Sequence, residues 1–312
     1  MKKIVIRVVT YNQENVVGRA LDSVLRQKDW GLYRIVVSDD CSTDHTWNVL
    51  QMYHSKYPEL IDIYRNEHNL GMYENIQKAD SYVPSCDLYS GLAGDDEYCD
   101  GYFEAIQNFI EQNHIDTTEL IGIFSDWKSK TPEGLEVVHS QRMIESDYTA
   151  FQLKIRTIIS CRSLFLTNAV KNSIKPTIFG KGLRVAEANY DVQRVLNIEK
   201  AYYIPRTTSI YYTGIGVSRK LNLKNSDYLT TQNIEKWKSF IELYIKDERD
   251  LNYANYEITK SQYLLEPSWR KLFNIIKYYN RGQLPKCKEP LSSSLRLFLA
   301  LIKYKLFFKS DN

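Results

Sequence analysis

The chain has 312 residues, more than one typical domain, and its 43% hydrophobic content is ample for a sizeable core. A formal net charge of +3 is too small to argue for nucleic acid as a partner. Five cysteines, odd in number and without CxxC spacing, suggest reduced thiols, not a disulfide framework or a zinc site. The five histidines show no HExxH-type metal spacing.

Ile4-Val5-Ile6-Arg7-Val8-Val9 is a β-branched, almost wholly apolar run, as expected of a strand buried on both faces. After Thr10-Tyr11-Asn12, Val16, Val17, Ala20, Leu21, Val24 and Leu25 recur at helical spacing. Ile35-Val36-Val37 is the second expected strand. It runs into Asp39-Asp40-Cys41-Ser42-Thr43-Asp44, where Ser42, Thr43 and Asp44 offer capping oxygens to a helix carrying Trp47, Leu50 and Tyr53. Ile61 to Tyr64 reads as a third strand, Asn69-Leu70-Gly71 as a turn and Met72 to Ala79 as a short helix. A fourth strand over Leu88 to Ala93 delivers Gly94-Asp95-Asp96-Glu97. A helix with Phe103, Ile106, Phe109 and Ile110 and a strand at Leu120 to Phe124 follow. Strands alternating with helices at this pace specify an α/β fold with a mostly parallel sheet. In such a sheet, loops at the carboxyl ends of the strands converge on one crevice, so both acidic clusters should face one ligand. Carboxylates gathered there suit a hard cation carrying a diphosphate.

In Val8-Val9-Thr10-Tyr11-Asn12, Ser38-Asp39-Asp40-Cys41-Ser42-Thr43-Asp44, Asn69-Leu70-Gly71 and Leu92-Ala93-Gly94-Asp95-Asp96, taken in this order and spacing, the chain resembles glycosyltransferase family 2. The resemblance is dense over the first third and looser over the middle third. It implies the GT-A nucleotide-sugar-binding fold and an inverting transferase. The activity implied is transfer of a hexose or related sugar from a nucleotide donor, expected to be UDP-linked, to a glycan or lipid-linked glycan in cell-surface polysaccharide biosynthesis. By the same resemblance Thr10, Asn12 and Asp40 hold the donor's nucleobase. A carboxylate can accept the imide N–H of uracil or thymine, which apolar walls cannot replace. The alternative for Asp40 is a turn or cap residue.

The second cluster matches the family's Asp-x-Asp metal motif, with Asp95 on its last aspartate, Asp96 next and Ala93 in place of its first. Asp95, with Asp96, is then the expected ligand of Mg²⁺ or Mn²⁺, and Asp95 also touches the donor. One contact to ribose or to a metal-bound water is lost at Ala93. The competing reading is a solvated acidic turn before a helix.

The resemblance places the base for the acceptor hydroxyl in Val185 to Arg194, where Glu187 and Asp191, four apart, share a face if the segment is helical. Either can be the base, with Asp191 slightly favoured. The alternative is two exposed helix carboxylates. Ile158 to Leu166, with Cys161-Arg162, resembles the segment before that helix, and Phe124 to Trp127 either lines the acceptor side or simply ends a strand. Tyr211 to Lys220 resembles a strand and a loop closing on the diphosphate. Thr213 stands where the family often has arginine or histidine, so that Arg219 or Lys220 either supplies the charge or forms a solvated basic turn.

The expected division is a transferase domain over 1–220 and a helical extension over 221–312, with helices around Asn233 to Ile245 and Trp269 to Tyr279. Leu295 to Lys309 is apolar and basic at once. It either lies in a membrane interface or packs as a terminal helix. The first strand begins by Ile4, and no run approaches a spanning helix, so a cytoplasmic protein is expected, possible at the inner face of the membrane through that last helix. A non-catalytic nucleotide-sugar-binding or scaffold protein is the alternative function, raised by Ala93. A nucleotidyltransferase or Rossmann-type enzyme fits poorly, since Thr10-Tyr11-Asn12-Gln13-Glu14 has no glycine-rich phosphate loop.

Overall fold

The structure, a computed structural model, describes residues 1–140, 164–173, 197–214, 230–241 except 232, 233, 236 and 239, and 245–280; for 249 and 276–280 it describes the backbone alone. Of these, 1–214 belong to one compact unit and 230–280 to a second.

The first unit is an alternation of strands and helices: β1 (Ile4–Thr10), α1 (Val17–Leu25), β2 (Leu32–Asp39), α2 (Thr46–Lys56), β3 (Ile61–Arg65), α3 (Met72–Tyr82) and β4 (Leu88–Ala93). A two-residue strand β5 (Glu97–Tyr98), α4 (Tyr102–Gln112), β6 (Ile121–Lys130), β7 (Glu136–His139), β8 (Leu164–Thr167), α5 (Asn168–Ser173) and β9 (Lys200–Tyr212) follow. They form one sheet in the order β3-β2-β1-β4-β8-β6-β9-β5, with β7 hairpinned onto β6. Strands β1 to β4 are mutually parallel, β8 enters antiparallel between β4 and β6, and β9 returns parallel to β6.

All seven residues of β1 are buried, because helices cover both faces of the sheet. Ile4, Ile6 and Val8 enter one core with Val17, Ala20, Leu21 and Val24 of α1, Leu50 of α2 and Phe103, Ile106 and Ile110 of α4. Val9 faces the other side, against Ile76 and Ala79 of α3. Arg7 lies on that side as well. Its guanidinium is buried 3.6 Å from Asp80, which also accepts the Tyr89 hydroxyl. Gly91 of β4 leaves room for it, since a Cβ there would stand 1.9 Å from Arg7 Nη2.

Four expected strands appear at their places, and Leu88–Ala93 coincides residue for residue. The strand expected over Leu120 to Phe124 instead runs ten residues to Lys130, so Phe124 to Trp127 lie inside it. Pairing explains the extra length: β6 is flanked by β9 along its whole course and by β7 over its second half.

In the second unit, residues 230–241 are helical where described, followed by α6 (Glu248–Leu265) and α7 (Trp269–Asn280). Trp237 packs edge-on against Phe240 and Tyr253. Lys271 Nζ donates to the carbonyls of Gln262 and Glu266, closing the carboxyl end of α6. Sequence periodicity anticipates α7 but not α6, whose apolar positions are diluted by Asn, Glu, Thr and Lys. Among the described residues no helix is long and apolar enough to cross a membrane. The segment Leu295 to Lys309 lies outside the described residues.

Candidate active site

Register fixes the geometry of the rim. Thr10 pairs with Asp39 across β1 and β2, and Val9 pairs with Ala93 across β1 and β4. Asp40 N donates to Thr10 O (3.0 Å), and Gly94 N donates to Val9 O (2.9 Å), so both acidic turns leave the sheet on either side of the end of β1. They are two strand spacings apart, about 10 Å.

The β2 turn is buried and heavily hydrogen-bonded. Asp39 is fully buried; its carboxylate accepts from the Ser42 hydroxyl and, at 3.2 Å, from Ser42 N, with Arg65 Nε at 3.3 Å. Burial nevertheless raises its pKa, and the Ser42 donors and Arg65 only partly oppose this. Asp40, 2% exposed, accepts three hydrogen bonds: at Oδ1 from Asn66 Nδ2 and Leu70 N, both 2.8 Å, and at Oδ2 from Gly71 N, 2.9 Å. Asn66 Nδ2 also reaches Asn75 Oδ1 (3.0 Å), which accepts the Ser38 hydroxyl at 2.6 Å. The Asn69-Leu70-Gly71 turn is thereby tied to the end of β2, and Gly71 takes a φ of +83 that other residues resist. A carboxylate has about four lone-pair sites, and three of those on Asp40 are taken within the fold.

The first and second loops are laced together. Asn12 N donates to Ser42 Oγ (2.9 Å), and Asn12 Oδ1 accepts Thr43 N (2.8 Å). Gln13 N donates to Thr46 Oγ1 (2.7 Å), and Glu14 N to Asp44 Oδ2 (3.2 Å). Asn12 and Cys41 hold φ values of 52 and 59, left-handed conformations costing about 1–2 kcal/mol each and concentrated at functional loops. Cys41 is thus a turn residue, as its small size suits. Of the expected capping residues only Asp44 serves the helix, its Oδ1 accepting Thr46 N at 2.9 Å; the Ser42 and Thr43 hydroxyls turn to Asp39 and Asn12 instead, and Glu14 Oε2 takes His45 N at 2.8 Å. Burial opposes ionisation of Asp44, but the Thr46 donors and Glu14 N outweigh it and lower the pKa.

At the other turn, Asp95 is half-buried and Asp96 is 7% exposed, with Oδ1 accepting Tyr212 N at 3.1 Å. A clamp absent from sequence reasoning holds this turn from outside. Arg19 of α1 donates to Asp95 O (2.6 Å), pairs through Nε with Glu97 Oε1 (2.9 Å) and lies 3.7 Å over the Tyr212 ring. Tyr212 donates its hydroxyl to Glu97 Oε1 (2.5 Å); burial first, then that contact, pushes its pKa up to about 12. The overlooked signal is the Arg19 position itself, the one cation of α1, which also carries Asp22 and Ser23. Among the described residues no group of three His, Cys, Asp or Glu could hold a metal alone. Mg²⁺-type sites need only one or two carboxylates when a substrate diphosphate supplies the remaining oxygens.

Thr10, Asn12, Asp40, Asp95 and Asp96 are thus brought to one rim. Glu187, Asp191, Arg219, Lys220 and Cys161-Arg162 lie outside the described residues.

The model of glycosyl transferase family 2 matches residues 5–172, more than half of the chain. The chain belongs to glycosyl transferase family 2. Among solved structures, S. aureus TarS 1-349 in complex with UDP-GlcNAc superposes with a TM-score of 0.65 at 14% identity, over 97% of this chain and 92% of that one. The mannosyltransferase PcManGT from Pyrobaculum calidifontis, in complex with GDP-Man and Mn2+, follows at 0.51 and 10% identity, over 99% and 88%. At these identities the likeness is one of fold, the GT-A fold. Uncharacterized proteins of Mycobacterium tuberculosis and Mycobacterium bovis are 29% identical over 90 residues, 29% of this chain and a quarter of the length of each relative.

Proposed function

We propose that this family 2 chain is an inverting glycosyltransferase that moves a sugar from a nucleoside-diphosphate donor, UDP-linked, to a hydroxyl of a glycan or lipid-linked glycan. The observation that carries the reading is the register that sets the Asp40 turn and the Asp95 turn on either side of β1. A nucleobase beside Asp40 and Asn12 then leaves the diphosphate over Asp95, the ordering a nucleotide sugar requires. TarS has been captured with UDP-GlcNAc and PcManGT with GDP-Man and Mn2+, which supports a nucleotide-sugar donor and a divalent ion.

Asp95, with Asp96, would hold Mg²⁺ or Mn²⁺, which when bound would offset charge on the departing diphosphate. Arg19 and Glu97 keep the Asp95 turn in place before any ligand arrives, so little reorganisation is spent on binding. For the acceptor side we assign the base to Asp191 or Glu187. The carboxylate takes the hydroxyl proton while that oxygen bonds to the anomeric carbon and the carbon–oxygen bond to the diphosphate breaks, inverting the centre in one displacement. Residues 1–220 would form the transferase domain and 221–312 a helical extension, with Leu295 to Lys309 able to rest on a membrane's cytoplasmic face.

Thermal shift with UDP, GDP and their sugars, with and without Mn²⁺, tests the donor: a bound ligand raises the melting temperature. No shift with any nucleotide, or a shift unaffected by Asp95→Ala, overturns the assignment of the crevice. Separate Asp191→Asn and Glu187→Gln variants test the base, and near-normal turnover in both removes it from this segment. Ala93 favours a second reading, a nucleotide-sugar-binding protein without turnover, for which the donor stabilises the fold but no acceptor releases nucleoside diphosphate.

A further inference from the structure

Charge is unevenly spread along the chain. From Ser268 to Asn312 there are ten lysines and arginines against two acids, a net +8, in a chain whose total is +3, so the residues before Ser268 carry a net −5. Such asymmetry marks a region that meets anionic partners. The described part of this basic stretch is α7, which carries Arg270, Lys271 and Lys277 and no acid.

The apolar residues of α7 do not all turn inward. Leu272 and Ile275 are buried in the second unit, whereas Trp269 is 46% and Phe273 64% exposed. Residues four apart stand one above the other on a helix, so Trp269 and Phe273 form one outward stripe, with Arg270 exposed next to Trp269 in the chain. The corner at which α6 gives way to α7 adds Leu264, 51% exposed. Among the described residues of the second unit only Leu251, in the first turn of α6, is a further large hydrophobic left exposed. Between Gln262 and Phe273 the one acid is Glu266, and Lys271 Nζ pairs with it at 3.0 Å.

We propose that the first turns of α7, with the α6–α7 corner, dock on an anionic lipid surface, Trp269, Phe273 and Leu264 entering at headgroup depth and Arg270 lying among the phosphates. Aromatic rings flanked by cations suit a bilayer interface, where the apolar body leaves water while the charge stays at the headgroups. A second copy of the chain fits the stripe poorly, since it would bring like charges together. The contact is separate from the one assigned to Leu295 to Lys309 and does not depend on it.

The test measures partition of the full chain onto vesicles of phosphatidylcholine with and without phosphatidylglycerol, by cosedimentation. The parent should prefer the anionic vesicles, and the preference should fade at high salt. Phe273→Ser should lower partition about ten-fold and Arg270→Gln about five-fold, while both melt with the parent because the side chains changed are exposed. Brominated lipid tails should quench the parent's tryptophan emission, and Trp269→Phe should remove most of that quenching. A parent that stays in solution with anionic vesicles overturns the proposal. So does a Phe273→Ser variant that partitions as the parent does, or a Trp269→Phe variant quenched as strongly; should Lys303→Gln with Lys305→Gln then abolish binding, the contact belongs to Leu295 to Lys309 instead. Equal affinity for heparin, unchanged by Phe273→Ser, assigns the basic stretch to a soluble polyanion and overturns the lipid reading as well.

Discussion

Asp40→Asn separates what this carboxylate does for the fold from what it does for a ligand. In the folded chain its two oxygens take three donors: Asn66 Nδ2 and Leu70 N on one, Gly71 N on the other. An asparagine can keep the first two only by turning its NH₂ group onto Gly71 N–H, and the opposite orientation faces two donors instead of one. A buried donor without an acceptor costs about 1–3 kcal/mol, and the surviving bonds weaken because the acceptor is no longer charged. Relief from burying that charge offsets part of this, leaving a net loss of about 2–3 kcal/mol. At about 2–4 °C per kcal/mol for a unit of this size, the melting temperature should fall by about 5–10 °C, measured by scanning fluorimetry without nucleotide and checked by urea unfolding. Asp40→Ala should cost more, since all three donors then lack a partner. If Asp40→Asn melts within about 1 °C of the parent, the carboxylate does not anchor the Asn69-Leu70-Gly71 turn.

Gly91→Ala should destabilise by about 3–5 kcal/mol, because its methyl would occupy the Arg7 guanidinium and pull that buried cation off Asp80; Gly91→Ala with Arg7→Met should recover part of the loss in urea unfolding. Asp44 has a lowered pKa, so the stability it lends is complete above the ordinary value of 3.8 and drains away as pH falls through the lowered one. Thr46→Val should therefore cost less stability in acid than near neutrality, and should move the Asp44 carboxyl titration upward by NMR. Arg19→Met should weaken Mn²⁺-dependent donor binding and leave metal-free nucleotide binding less affected, since the contacts it removes hold the Asp95 turn and the Tyr212 ring that braces it. Equal losses with and without Mn²⁺ would count against that placement.

The parallel half of the fold is legible in the sequence because β1, β2 and β3 are short runs carrying Ile or Val and all four strands are closed by polar or glycine turn residues. The later strands are harder. β9 spans Lys200 to Tyr212, yet Pro205, Arg206, Thr207 and Thr208 interrupt its apolar character, and it persists because β6 pairs with it on one edge and β5 on the other. β5, only two residues long, exists through that partner alone. At the rim, Asp40 and Asp95 are visible as acidic clusters after strands. Asn66 and Asn75 are not, because an isolated asparagine carries no periodic signal, and their role arises from contacts among β2, the turn before α3 and α3 itself. Arg19 and Tyr212 meet Glu97 only through tertiary folding across 78 and 115 positions of chain.

The junction of Tyr212 with Asp96 and Glu97 also orders events during synthesis. The acidic turn emerges early, but the strand that braces it emerges more than a hundred residues later. Closing so long a loop is slow relative to local helix and strand formation. The nascent chain can therefore assemble β1 to β4 while the acidic turn still lacks its brace, and a fragment cut at residue 172, where the family match ends, would never acquire it.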